Sequence, residues 1–222
     1  GPAVLPILQR MLLVAAAGTL GAFLGVLLAY IMGFFCVADT PARELSCLVG
    51  QFALFGAGLG LAVGLGCGLL LGGDARGAGL GILMGVVGGI TGGILLMATR
   101  LTLLHSGQGM EEASSGLLAQ AFPLLIYGLA LALMVGLLPG FLVRSPSRAI
   151  AGVIGCGVAT VVVFFLVLVI QGIGAGSLGQ SLWTGFPLGI SGVTSRLAAT
   201  AWPALLFGVG LGAALGYESL PD

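Results

Sequence analysis

Apolar side chains run through this sequence in six stretches, near residues 11–35, 48–73, 78–104, 117–143, 149–172 and 196–217. Each is long enough to cross a hydrocarbon core, which needs about 20 helical residues. Polar interruptions fall at Asp39 to Glu44, Asp74 to Gly77, His105 to Ser115 and Arg144 to Arg148, and a long glycine-rich connection runs from Ile173 to Arg196. The pattern predicts an all-α integral membrane protein, a single polytopic domain over 1–222. The first stretch exceeds the roughly 7–15-residue core of a signal peptide and reads as a retained helix.

Helix boundaries have local signals. Thr40-Pro41 and Ser145-Pro146 each place a capping hydroxyl ahead of a first-turn proline, which predicts that the second and fifth helices begin just outside the hydrocarbon. Ser114 and Ser115 offer the fourth helix a similar start. Pro123, Pro139 and Pro203 lie inside apolar stretches, where each removes a backbone hydrogen bond and favours a packing kink.

Composition strengthens the membrane reading: 59% of residues are hydrophobic and 6% are charged, against about 25% charged in soluble domains. Seven basic residues, all arginine, balance seven acidic ones. Without a basic cluster the chain lacks the footprint of a nucleic-acid binder. The absence of lysine and asparagine fits a GC-rich coding sequence and so a bacterial source, and it removes any N-glycosylation acceptor. With six spans, Arg10, Arg76, Arg144 and Arg148 fall on one side, and Arg43, Arg100 and Arg196 on the other. The excess of positive charge predicts an inner-membrane protein with both termini in the cytoplasm. Trp183, Trp202 and Tyr217 suit interface anchors.

Cys36 and Cys47 bracket the first loop, on the side where a disulfide could persist; the alternative is two unpaired thiols near an interface. Cys67 and Cys156 fall within spans and read as buried thiols.

The signal that rises above composition is the spacing of small residues. At intervals of four they fall on one helix face and allow another backbone to approach closely. The second helix carries Gly56, Gly60, Gly64, Gly68 and Gly72, with Gly58 and Gly66 off that line. The third carries Gly81, Gly85, Gly89 and Gly93, with Gly88 and Gly92 alongside. Weaker stripes run through Ala17, Gly21, Gly25, Ala29 and Gly33, through Gly128, Ala132, Gly136 and Gly140, and through Gly208, Gly212 and Gly216. The second and third helices are therefore expected to form a tight hairpin, and the other small faces suit copies of the chain or further subunits.

From Gly56 to Gly72 the sequence resembles the glycine-rich inner helix of rotor-ring proteolipids from rotary ATPases. Those proteins carry their ion on a membrane-buried carboxylate, and no Asp or Glu lies inside any predicted span here. The resemblance therefore implies shared packing rather than shared function.

Few side chains offer chemistry. Arg100 is the one ionisable residue within a span, where snorkelling competes with a binding or gating role. Gln51, Thr91, Gln120, Thr160 and Gln171 are intramembrane polar groups that suit interhelical hydrogen bonds or, alternatively, a pathway lining. His105 with Glu111 and Glu112 has metal-binding residue types without a metal-binding spacing, so no metal or other cofactor is expected. No phosphate loop, nucleophile elbow or metalloprotease motif occurs. The 173–196 connection around Trp183 reads as an interfacial loop or a re-entrant segment. These features predict a non-catalytic integral membrane subunit that packs or scaffolds a larger complex with other membrane subunits and lipid. The alternative is a passive pore or small-solute transporter built on the glycine-rich hairpin and a re-entrant 173–196 segment.

Overall fold

The computed structural model describes residues 4–36, 39–71, 75–105, 117–173 and 193–218. All regular structure among them is helical: α1 (Val4–Phe35), α2 (Pro41–Leu71), α3 (Arg76–His105), α4 (Leu117–Gly136), α5 (Leu138–Val143), α6 (Pro146–Ile173) and α7 (Val193–Glu218). Within the described residues, five segments are long and apolar enough to span a membrane: Pro6–Phe35, Ala42–Leu71, Arg76–Thr99, Leu125–Val143 and Pro146–Ile170. This is the build of a multi-pass integral membrane protein.

Local chemistry sets the ends. The Thr40 hydroxyl accepts the Arg43 N–H at 3.3 Å, Pro41 occupies the first turn and Glu44 complements the helix dipole, so α2 starts about two turns before its apolar run. At α6 the Ser145 hydroxyl pairs instead with that of Ser147 at 2.9 Å, and the first turn is closed by the Ala149 N–H donating to the Ser145 carbonyl. The sequence expectation of one helix over 117–143 needs correction, because the chain breaks at Leu137 between α4 and α5. Pro139 has no N–H to donate, and the Leu137 N–H turns to the nearer Met134 carbonyl at 3.3 Å. Pro203, in contrast, is carried within α7.

The helices form a closed circuit, in which each packs on its neighbour in the order α1, α2, α3, α4, α6, α7 and back to α1. Every neighbouring pair is antiparallel. Along α2 and α3, Gly56, Gly60 and Gly64 face Gly85, Gly81 and Gly77 in turn; along α1 and α7, Gly18 faces Gly208 while Gly212 and Gly216 face Val14 and Arg10. The circuit is filled, with α7 also touching α2 and α4, and α5 touching α2 and α3. Leu59, Val63, Leu131, Val135, Leu138, Leu211 and Leu215 are fully buried in one apolar cluster. Outward-facing positions carry large apolar residues, among them Leu12, Phe23, Leu83, Ile150, Ile154 and Phe165, as a hydrocarbon surrounding requires.

The turn between α5 and α6 holds one strained residue. Arg144 sits at φ 57° and ψ 40°, and the Ser145 N–H closes back on the Gly140 carbonyl at 3.0 Å. This left-handed conformation costs a residue with a Cβ about 1–2 kcal/mol. Arg144→Gly is expected to raise the thermal midpoint in detergent by the equivalent of up to about 1 kcal/mol, and Arg144→Val to lower it. Equal midpoints for the two variants would contradict the left-handed turn.

Candidate functional site in the helix interfaces

The features most able to carry function are the surfaces on which the helices meet. Along the middle of the α2–α3 contact, glycine faces glycine on both partners. A methyl group placed on Gly56, Gly60 or Gly64 would overlap the backbone carbonyl of Gly85, Gly81 or Gly77, and the reverse substitutions would do the same in the other direction. Gly89 approaches the Phe52 carbonyl, with a Cβ there only 2.5 Å from it, and Gly68 lies against Gly77. Such approach brings Cα–H groups against carbonyl oxygens, a weak attraction repeated along the interface. Gly93 serves differently, lying under the Phe52 ring. Gly72 lies outside the described residues.

The off-line glycines of α2 look the other way. A Cβ on Gly58 would stand 2.7 Å from Gly25 Cα, and one on Gly66 would touch the Ala17 methyl at 3.3 Å, both on α1. Gly88 and Gly92 turn α3 toward Leu131, Met134 and Tyr127 of α4. Gly136 and Gly140 approach Gly152 and Ala149 of α6. The described glycines of these faces thus meet neighbours within the same chain.

A buried polar node sits where α1, α2 and α4 meet. Gln51 is fully buried and its Nε2 donates to the Ala29 carbonyl at 3.0 Å. The buried Tyr127 hydroxyl donates to the Phe52 carbonyl at 2.9 Å, and its ring lies tilted by 42° against Phe52 at 4.6 Å, with Phe55 at 6.3 Å. These acceptors share a local cause. A helical side chain covers the turn before its own Cα, so glycine one turn after a carbonyl leaves that carbonyl open. Gly33 follows Ala29, and Gly56 follows Phe52. Gly92 then admits the Tyr127 ring, since a Cβ there would lie 2.7 Å from Tyr127 Cδ2.

The remaining polar residues divide. Thr160 is buried, yet its hydroxyl donates at 2.8 Å to the Cys156 carbonyl of its own helix, which corrects the expectation of an interhelical bond. Thr91 is exposed on α3. Arg100 and Gln171 lie in α3 and α6, but their side chains, like Gln120, Trp183, Glu111 and Glu112, lie outside the described residues. Trp202 is half-buried and Tyr217 exposed. Cys36 and Cys47 form a disulfide with a Cα–Cα distance of 6.1 Å, and Cys67 and Cys156 are free and buried.

Sequence reasoning missed Gly77, which spacing assigned to the turn before α3, and Gly18, which falls off the expected α1 stripe. Gly77 would have emerged from extending the four-residue interval back one turn from Gly81, whereas Gly18 belongs to a second α1 register, with Ala22, that the expected stripe does not contain. Tyr127 gave no sequence signal, because its partner is a backbone carbonyl. Comparison with protein-family models, with curated proteins and with solved structures returned no match. The functional argument therefore stands on this geometry.

Two sets of variants test it. Gly81→Ala should destabilise the bundle by about 1–3 kcal/mol through overpacking, whereas Gly79→Ala, two residues away with open space around it, should be neutral or stabilising by up to about 1 kcal/mol. Thermal unfolding in detergent measures both, and equal effects would contradict the contact. Tyr127→Phe keeps the ring and removes the hydroxyl; it should cost roughly 0.6–1.7 kcal/mol in the same assay.

Proposed function

We propose that this protein is a non-catalytic integral membrane subunit that supports a larger membrane assembly, seated in a bacterial inner membrane with the start of α1 and the end of α7 on the cytoplasmic side. The observation that carries the reading is the packed interior. Large apolar side chains fill the centre of the circuit, and the Gln51 amide, the Tyr127 hydroxyl and the Thr160 hydroxyl inside it each donate to a backbone carbonyl. A bundle with a filled, apolar interior suits a part that holds others in place better than one that conducts a solute.

The same geometry changes where partners would meet it. Because the described glycine faces are occupied by helices of the same chain, a partner subunit would meet the large apolar residues of the outer surface. Of the five spanning segments among the described residues, Pro146–Ile170 is the least buried inside the bundle, so α6 offers the widest such surface. The orientation follows from the arginine distribution.

Native mass spectrometry of the protein extracted gently from its own membrane tests the reading. Stoichiometric foreign subunits are expected. A monomer or homo-oligomer alone, together with solute flux in proteoliposomes, would replace the scaffold reading with a pore or transporter.

A further inference from the structure

The α1–α2 hairpin carries a ladder of contacts that ends in a covalent bond. Gly21 meets Gly58 and Ala62, Gly25 meets Phe55, the Ala29 carbonyl takes the Gln51 amide, the Met32 side chain covers Gly50, and Cys36 is bonded to Cys47. The two cysteines are half-buried at the outer end of the hairpin, whereas Cys67 and Cys156 are enclosed in the helical core. The pairing is therefore unambiguous, and the bond lies where another protein's active site can reach it.

Antiparallel packing places the ends of α1, α3 and α6 and the starts of α2, α4 and α7 at this end. The start of α1, the end of α2, the start of α3, the α5–α6 turn and the end of α7 lie at the other. Arg10, Arg76, Arg144 and Arg148 belong to that other end, and Arg43, Arg100 and Arg196 to this one, where Arg43 beside the disulfide is paired with Asp39 at 2.6 Å. The arginine excess at the other end is a single residue, and it points the same way as the disulfide. Disulfides persist in oxidising compartments and are rare where thiols are kept reduced.

We propose that the α1–α2 end faces an oxidising compartment outside the cytoplasm, and that Cys36 and Cys47 are the substrate of a disulfide-donating thiol oxidoreductase there. One cysteine attacks the donor's disulfide as a thiolate to give a mixed disulfide, and the second displaces the donor from it. Two protons and two electrons leave the pair, the Cys36–Cys47 bond forms, and the donor departs as a dithiol. The inference is independent of whether the bundle acts as a scaffold or a pathway.

The test counts thiols by gel shift with polyethylene-glycol maleimide, on full-length protein trapped with acid in a bacterial host and then denatured. Two adducts are expected without reductant and four after reduction, from the four cysteines of the chain. In a host lacking its extracytoplasmic thiol oxidase, the unreduced count should rise from two to four. Sidedness is read on Cys36→Ser, whose Cys47 thiol should react with a membrane-impermeant maleimide added outside intact cells. Four adducts in unreduced wild-type protein from the normal host, or Cys47 labelling only in inverted vesicles, would overturn the orientation. An unchanged count of two in the oxidase-deficient host would overturn the assigned partner. The wild-type count needs no variant, so a Cys36→Ser protein that fails to fold leaves the proposal open to refutation.

Discussion

Helices already surrounded by hydrocarbon gain nothing from hiding apolar surface, so their association must come from contact closer than the lipid can match. In this protein that contact is made between backbones. The α2–α3 pair removes side chains from both faces at Gly56, Gly60 and Gly64 and at Gly77, Gly81 and Gly85. Each glycine makes room for a carbonyl of the opposing helix. Dispersion at short range and repeated Cα–H···O contacts act together there.

The arrangement of the other helices depends on α2 having two narrow sides. Gly58 and Gly66 admit α1 on the flank away from α3, so α2 is held between two neighbours. The openings left by glycine also govern the polar chemistry. A helix whose carbonyls are uncovered one turn before each glycine can accept hydrogen bonds that an alanine or leucine would block. Gln51 and Tyr127 use such openings, and so a polar link among three helices follows from the same residues that allow close packing.

Much of this was legible in the chain. Apolar run length located the helices, and the Thr40-Pro41 and Ser145-Pro146 pairs placed two starts at the residues where α2 and α6 begin. The break at Leu137 was harder to read, since Pro139 is compatible with either a bend within one helix or two helices. Pro203 shows the milder outcome. The direction in which each glycine points depends on which neighbour it meets, and a four-residue interval carries no such information. Gly93, in register with Gly89, packs under an aromatic ring instead of a carbonyl. Tyr127 was invisible for a different reason: its acceptor is main chain, which every residue possesses, and only the third dimension selects Phe52.

The antiparallel contact of α1 with α7 has a bearing on how the chain is made. Gly18 and Gly208 meet across nearly the whole described sequence, whereas the α2–α3 contact joins helices separated by a few residues. During synthesis the inner hairpin has its partners as soon as α3 emerges. The α1 face must wait through the insertion of four further helical segments, with the carbonyls near Val14 and Gly18 turned toward lipid or toward an insertion factor. Closure of the circuit is thus the most non-local step of assembly, and until α7 arrives the chain carries an open seam along α1.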